Sequence, residues 1–264
     1  MTNRIKKIFS DRNKKLVTFV TGGDPNLIDS KKIINTLATN GADIIEIGMP
    51  FSDPMADGPI IQLSSNRAIK AKIDLDNIFS ICMNFRKKNN KTPLILMGYY
   101  NLILHYGIKK FVRKCETYGV DGLIIVDLQP DEDTELLSYI KSTDIDLIRF
   151  ITPTTNSKRL STILKNSSGF LYYITITGIT GQQSADFKVL KKSINKIKKH
   201  TNLPIVSGFG IKNEKDVKKI CQICDGVVVG SSIVKIIQNN LNNTNKAISI
   251  IAQFIKKLKQ GTIQ

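Results

Sequence analysis

Three carboxyl groups occur within the segment EIGMPFSDPMADGP, residues 46–59. The first, Glu46, falls inside the apolar run DIIEIG, which has the composition of a buried strand. Burial raises the pKa of a carboxyl group, and a raised pKa is what an acid-base catalyst working near neutral pH needs. The alternative is a structural ion pair with a lysine or arginine, for which Arg149 in a later run is one candidate.

Two further acids, Asp53 and Asp57, lie in the loop that follows this run. Asp57 directly precedes a Gly-Pro pair, and the prolines of the loop restrict its backbone. This composition favours a defined, hinged loop that carries a second functional carboxylate. The alternative is local turn chemistry, because aspartate is common in turns beside glycine and proline.

Two glycine-rich segments, GFG at 208–210 and GSS at 230–232, follow apolar runs late in the chain. Glycine lets a backbone approach a ligand closely, and backbone N–H groups at the start of a helix bind phosphate well. The two segments therefore predict a phosphate site. The alternative is ordinary loop glycine, with Ser231 and Ser232 capping the helix that follows.

A third segment, LYYITITGITGQQ at 171–183, passes from an apolar run into a stretch rich in glycine and threonine. Such a composition is typical of a mobile lid over an active site. Tyr172 and Tyr173 must point to opposite faces of the predicted strand, so only one of them faces the site.

Eight short apolar runs provide the strands that position these residues. Most are apolar on both faces, as parallel strands covered by helices are, and the chain between them is long enough for a helix. This order predicts a (β/α)₈ barrel formed as a single domain by residues 1–264, with a doubly wound sheet as the alternative. The runs are LVTFVT (16–21), DIIEIG (43–48), LILMG (94–98), GLIIVD (122–127), LIRFIT (147–152), FLYYITI (170–176), PIVSGF (204–209) and GVVVG (226–230).

The barrel prediction gives a direction to the side chains of the second run. Strand alternation places Ile44 and Glu46 on one face and Ile45 and Ile47 on the other, against the helices. Since active sites of such barrels lie at the C-terminal ends of the strands, Glu46 is expected to point into the barrel near its top.

Helices outside the regular alternation are also predicted. The first segment, with Ile5, Ile8 and Phe9, is expected to form a helix at the barrel floor. Extra helices are expected after strand two, where the interval to the next run is longest, and after strand eight. The last of these covers residues 244–259, with Gly261 as its stop.

The composition raises other functions and argues against them. The net charge of +17 suggests a nucleic-acid binder, but the lysines are scattered over outer helix faces without interleaved aromatic side chains, so no nucleic-acid function is expected. No apolar stretch is long enough for a membrane span, and the basic N-terminus does not resemble a signal peptide. A cytoplasmic location is therefore expected.

The cysteines give a weak signal. CQIC at 221–224 has the spacing of a thiol-redox motif or of half a zinc site, but no second such pair exists and the chain has only two histidines. A core position for these thiols is the expected outcome, with no metal and no need for an oxidising compartment.

Taken together, these segments resemble the alpha subunit of tryptophan synthase over nearly the whole chain. The segment EIGMPFSDPMADGP is the most specific of them. The others are FVTGGDP (19–25), MGYYN (97–101), GLIIVDLQP (122–130), PTT (153–155), TGITG (177–181), GFGI (208–211) and GSSIVKII (230–237).

The resemblance implies a lyase that cleaves indole-3-glycerol phosphate into indole and glyceraldehyde 3-phosphate by a retro-aldol reaction. It implies that Glu46 is the proton shuttle and that Asp57 accepts the indole N–H and stabilises the positive indolenine. It assigns further positions to the substrate: Phe19, Met97, Tyr99, Ile125 and Tyr172 to the indole pocket, Thr180 and Gly181 to the lid, and Gly208, Phe209, Gly210, Gly230 and Ser231 to the phosphate.

The resemblance also implies a partner. This is a beta subunit that carries pyridoxal phosphate, joined with the alpha subunit in an alpha2-beta2 heterotetramer, and Asp53 and Pro54 lie on the loop that contacts it. This chain itself is expected to need no cofactor. The competing hypotheses are another phosphate-binding barrel, such as a sugar-phosphate isomerase or aldolase, and a basic protein that binds nucleic acid.

Overall fold

A computed structural model describes residues 3–174, 183–208 and 210–263. Its sheet has nine strands, all paired in parallel, in the order β5-β4-β3-β2-β1-β9-β8-β7-β6. The strands are β1 (Lys15–Thr21), β2 (Ile44–Gly48), β3 (Leu94–Gly98), β4 (Gly122–Ile125), β5 (Asp146–Leu147), β6 (Arg149–Ile151), β7 (Leu171–Ile174), β8 (Ile205–Gly208) and β9 (Gly226–Val229).

The two ends of this sheet belong to one stretch of chain. Strands β5 and β6 are separated only by Ile148, so together they occupy one barrel position and close the ring. Eight barrel positions result, each at one of the eight predicted runs. The predicted (β/α)₈ barrel is thus confirmed, and the doubly wound sheet is excluded because such a sheet stays open. That residues 1–264 form a single domain stays a prediction.

Twelve helices surround the strands in the described part of the chain. The long interval between β2 and β3 holds two of them, one helix precedes the first strand, and two helices follow the last strand. They are α1 (Arg4–Ile8), α2 (Leu27–Thr39), α3 (Pro59–Lys70), α4 (Leu75–Arg86), α5 (Tyr100–Tyr106), α6 (Ile108–Thr117), α7 (Thr134–Ile140), α8 (Ser157–Lys165), α9 (Gln183–Lys198), α10 (Glu214–Cys221), α11 (Ser231–Gln238) and α12 (Thr244–Gln260).

The structure adds one pair of helices that the sequence did not predict. Two helices, α5 and α6, connect β3 to β4, and Gly107 separates them with a φ of 90°. That backbone conformation is open to glycine and strained for most other residues, so the chain turns there and does not continue as one helix.

The inside of the barrel is an apolar cluster distinct from the layer beneath the helices. One inward residue from most strands contributes to it, including Val17, Ile44, Ile95 and Ile124. Ile5 of α1 is fully buried in the same cluster, so α1 closes the barrel floor as predicted. Neighbouring residues of β2, Ile45 and Ile47, pack in the outer cluster, which agrees with the predicted alternation.

Three aspartates stabilise the barrel floor, at the N-terminal ends of the strands, through hydrogen bonds and ion pairs. Asp43, Asp121 and Asp225 each directly precede a strand and accept a hydrogen bond from a backbone N–H in the neighbouring strand. Each also pairs with a cation; Asp121 pairs with both Arg4 (2.7 Å) and Arg86 (2.5 Å). These contacts serve stability, because the floor lies opposite the end of the barrel where chemistry occurs.

Replacing Asp121 is expected to destabilise the fold strongly. Asp121→Ala leaves the nearly buried Arg86 without its carboxylate and the Leu94 N–H without its acceptor, so the free energy of unfolding should fall by about 3–5 kcal/mol. Urea denaturation measures this loss. The matched change Asp76→Ala removes an exposed pair with Lys114 at 3.8 Å and an exposed hydrogen bond from the Tyr106 hydroxyl at 2.6 Å, and should cost about 1 kcal/mol or less. Equal losses in the two variants would contradict the role of Asp121.

Candidate active site

A cavity opens at the C-terminal ends of the strands, between β1, β2, β3, β7, β8 and β9. It brings together residues that are far apart in sequence, including both acids of the opening segment. The predicted site residues that line it are Phe19, Glu46, Asp57, Met97, Tyr172, Gly208, Gly210, Gly230 and Ser231.

Glu46 is fully buried in β2 and faces this cavity. Its neighbour in register on β1 is Phe19, which also lines the cavity. Neither carboxyl oxygen of Glu46 has a hydrogen-bond partner among the described residues. Burial without a compensating partner raises the pKa of Glu46 to about 8.

The structural ion pair that the sequence left open for Glu46 does not form with Arg149. The Arg149 guanidinium instead binds Asp133, at the start of α7, and donates to the carbonyl oxygen of Leu128 at 3.0 Å. Arg149 follows Ile148, which faces the barrel interior, so alternation turns it outward into the helix layer. Glu46 is thus a buried acid facing a cavity, which fits proton transfer better than a structural role.

The raised pKa of Glu46 predicts a pH-dependent stability. The unfolded chain ionises this group near 4.5 and the folded chain near 8, so the native state holds the extra proton between these values. The stability of the native protein relative to Glu46→Gln should therefore fall by a few kcal/mol from pH 4.5 to about pH 8 and stay level above it. Urea denaturation of both proteins across this range checks the slope; parallel curves would mean that Glu46 ionises normally.

Asp57 lies in the loop between β2 and α3, half-buried at the cavity. Its own backbone is held: the Asp57 N–H donates to Pro54 O at 3.0 Å, and the Gln62 side chain donates to Asp57 O at 2.8 Å. Burial raises the pKa of Asp57, while a hydrogen bond from Tyr99 opposes this rise. The prediction of a defined loop at this position is confirmed by these contacts.

Helix α3, which begins two residues after Asp57, is fastened to the end of β1. The Arg67 guanidinium forms a bidentate pair with the fully buried Asp24, at 2.7 and 2.8 Å. One helical turn earlier, the hydroxyls of Ser64 and Thr21 are 2.5 Å apart. These two ties fix the direction in which the helix leaves the loop, and with it the C-terminal end of the Asp57 segment.

The two glycine-rich loops meet on the opposite side of the cavity. A Cβ atom on Gly208 would lie only 2.9 Å from the Cβ of Val228 and 3.0 Å from the Tyr172 hydroxyl, so only glycine fits there. Gly230 is the N-cap of α11, whose first N–H groups have no acceptor within a helix. A loop of this kind at a helix N-terminus suits a phosphate group.

The side chains of the two serines after Gly230 do not cap α11, as the alternative to a phosphate site required. No side-chain hydrogen bond caps α11, and Ser232 instead donates to Ile211 O at 2.6 Å. Ser231 is exposed at the cavity. The capping alternative for these serines is therefore wrong, because α11 begins at Ser231 itself and neither hydroxyl lies at the N-cap position.

The two tyrosines of β7 point to opposite faces of the strand, as predicted. Tyr172 lines the cavity and packs edge-on against Phe150, with ring centroids 5.2 Å apart. Tyr173 lies in the cluster beneath the outer helices.

Comparison with known proteins identifies the family of this barrel. The family model described as "Tryptophan synthase alpha chain" matches residues 5–263. The chain belongs to the tryptophan synthase alpha chain family. Among solved structures, the tryptophan synthase subunit alpha of Legionella pneumophila str. Paris is 31% identical, with a TM-score of 0.92 over 99% of both chains. A protein of Aquifex aeolicus VF5 is 32% identical, with a TM-score of 0.89 over 98% of this chain and 99% of that one. A chain of Mycobacterium tuberculosis tryptophan synthase is 25% identical, with a TM-score of 0.88 over the full length of both chains.

Two residues that the family resemblance assigned to the indole pocket lie elsewhere. Ile125 packs in the outer cluster, while its neighbour Ile124 faces the barrel interior together with Met97. Ile125 therefore points away from the cavity, because a strand turns successive side chains to opposite faces, and Ile124 lies in the barrel interior without lining the cavity. Tyr99 is buried against the Asp57 loop and not among the residues that line the cavity.

Some predicted site residues fall outside the described part of the chain, and some residues that line the cavity were not predicted. Thr180, Gly181 and Phe209 lie outside the described residues, as does the Thr175-Ile176 pair. Sequence reasoning missed four apolar residues of the lining, Ile61, Ile211, Val228 and Val229. Alternation from the glycine that begins GVVVG would have found Val228, whereas Ile61 and Ile211 lie beyond strand ends, where alternation no longer applies.

The cysteines and acids of the described ranges form neither a reactive thiol site nor a metal site. Cys221 and Cys224 are buried, and burial raises their pKa values to about 11 and about 12, so both stay protonated thiols. Within the same ranges, no three His, Cys, Asp or Glu side chains are grouped closely enough to bind a metal ion. No helix there is long and apolar enough to cross a membrane.

Proposed function

We propose that this chain carries out the alpha reaction of its family, the cleavage of indole-3-glycerol phosphate to indole and glyceraldehyde 3-phosphate. The observation that carries the proposal is the fully buried Glu46, which has no hydrogen-bond partner in the described part of the chain and lines the same cavity as Asp57. Two carboxyl groups in different environments suit a reaction in which one must exchange a proton while the other stays charged.

Glu46 is the proton shuttle in this proposal. It gives its proton to the indole carbon that bears the glycerol side chain, and the ring becomes a positively charged indolenine. The resulting carboxylate removes the proton of the side-chain hydroxyl, the carbon–carbon bond breaks, and its electron pair restores the indole ring. Glu46 ends protonated, as it began, so a pKa near 8 leaves it ready for the next turnover.

Asp57 stabilises the intermediate of this sequence. Its carboxylate accepts the indole N–H and balances the positive charge that develops on the ring. Burial works against this ionised form, since it raises the pKa of Asp57, so the loop contacts that favour the carboxylate matter for the rate.

The rest of the cavity holds the substrate. Gly208, Gly210, Gly230 and Ser231, together with Phe209, bind the phosphate through backbone N–H groups and the N-terminus of α11. The apolar residues Phe19, Met97 and Tyr172 contact the indole ring. By family resemblance, Thr180 and Gly181 belong to the lid that closes over the site.

Indole release from indole-3-glycerol phosphate is the direct test. The released indole is extracted from the charged substrate, which carries the same ring, and is measured by its fluorescence; the chain contains no tryptophan, so the protein adds little background. Release by the wild-type protein supports the proposal. If a folded protein released none, with or without a beta subunit, the cavity would belong to a phosphate-binding barrel of another specificity.

The competing hypothesis of nucleic-acid binding has its own test, gel retardation at about 0.15 M salt.

A tryptophan synthase beta subunit is the proposed partner, in an alpha2-beta2 assembly whose pyridoxal phosphate belongs to the beta subunit. Asp53 and Pro54 are proposed to contact it. Asp53 is exposed. Met55, which directly follows Pro54, has 86% of its surface exposed, so the same loop presents a large apolar side chain to a partner. A rise in the rate of indole release on adding beta subunit tests the contact. The location proposed for this chain is the cytoplasm.

A further inference from the structure

Tyr99 occupies the junction between the barrel and the loop that carries Asp57. It follows β3 directly and is the N-cap residue of α5, so its backbone is fixed on both sides. The next residue, Tyr100, donates its N–H to Asp127 at 2.7 Å, which anchors the start of α5 to the loop after β4. The Tyr99 side chain is almost fully buried, at 3% exposure.

The Tyr99 side chain contacts the Asp57 loop at its two ends. Its ring stacks on Phe51, near the start of the loop, with centroids 5.0 Å apart and an interplanar angle of 26°. Its hydroxyl accepts a hydrogen bond of 3.0 Å from the backbone N–H of Ala56. The bond fixes the Met55–Ala56 peptide, directly before Asp57, and so restricts the backbone from which the acid projects.

We infer that Tyr99 is a positioning residue for Asp57, whose hydroxyl holds the Ala56–Asp57 end of the loop and whose ring holds the Phe51 end. The inference rests on the proposed function, because it gives Asp57 its catalytic place. It differs from the indole-wall role that family resemblance assigned to Tyr99, since the side chain is buried against the loop and not among the cavity-lining residues.

The electrostatics agree with the geometry. A hydrogen bond from Tyr99 lowers the pKa of Asp57 against the effect of burial and so favours the carboxylate form. Burial and the negative charges of Asp57 and Asp127 raise the pKa of Tyr99 to about 12, so its hydroxyl keeps the proton that it donates. The other titratable groups around the cavity are Glu46 and Tyr172.

The change Tyr99→Phe separates the two roles because it removes the hydroxyl and keeps the ring. If Tyr99 only walled the indole, the variant would act as the wild type. If it positions Asp57, we expect kcat to fall about 10- to 100-fold with little change in KM, as for loss of a hydrogen bond to a charged group. The acid limb of the pH–rate profile should also move to higher pH, since Asp57 loses a group that favours its ionised form.

Tyr100→Phe is the matched control. Its side chain packs on the outer cluster, and its hydroxyl lies near Glu135 of α7 and Asp133, the N-cap of that helix. We expect this variant to keep the wild-type kcat and pH profile. The same loss in both variants would overturn the inference, because it would reflect a general weakening of α5.

A measurement without turnover keeps the inference separate from the proposed function. The carboxyl ¹³C signal of Asp57, followed by NMR across pH, should titrate at a higher pH in Tyr99→Phe than in the wild type. This shift is expected even if indole-3-glycerol phosphate is not the substrate. An unchanged Asp57 titration, or a wild-type rate in the variant, would overturn the inference.

Discussion

We expect the variant Glu46→Gln to lose indole release almost completely and to keep its fold. Removing a positioned acid-base group costs about 10²- to 10⁴-fold in rate, and here the same group serves both protonation of the ring and removal of the hydroxyl proton. The loss should therefore lie at the upper end of that range. The amide occupies nearly the same volume as the carboxyl, so no cavity forms in β2.

The control for this experiment is Glu116→Gln on α6, where the same chemical change falls on an exposed side chain. We expect wild-type kcat there. Binding of glycerol 3-phosphate, measured by calorimetry, should be similar in Glu46→Gln and the wild type, because the proposed phosphate contacts lie at the ends of β8 and β9 and at the start of α11, not on β2. Retained activity in Glu46→Gln would remove Glu46 from the mechanism, whereas lost binding would indicate a change in the whole cavity.

Strands and their inward faces were predictable because the period of a strand is short and strict. The run DIIEIG placed Glu46 on the same face as Ile44 without any knowledge of neighbours, and the structure shows that face turned into the barrel. The same rule shows that Ile125 of β4 faces the helix layer and Ile124 the barrel interior. Resemblance had assigned the residue, but alternation decides the direction.

Partners of buried charges were not predictable in the same way. Arg149 looked like a candidate for Glu46 because both lie in strands, yet it binds Asp133 at the start of α7. Only the three-dimensional course of the loop after β4 brings that carboxylate near. The ties that orient the Asp57 loop, from Tyr99 and from the Asp24–Arg67 pair, likewise join segments that are distant in sequence.

Asp57→Asn is expected to slow the reaction by about 30- to 1000-fold, equivalent to about 2–4 kcal/mol in the activation barrier. Asparagine keeps the shape of the side chain and one oxygen that accepts the indole N–H. It cannot carry the negative charge that balances the indolenine. Since that charge develops only as the ring is protonated, the loss should appear in kcat much more than in KM.

The exposed Asp53 in the same loop supplies the control, because Asp53→Asn makes the same change without touching the cavity. Its kcat in the absence of a beta subunit should equal that of the wild type. An unchanged rate in Asp57→Asn would mean that the ring cation needs no carboxylate, and the buried Glu46 would then act alone. A loss confined to KM would mean that Asp57 binds the ground state and the transition state equally, which is positioning without electrostatic stabilisation.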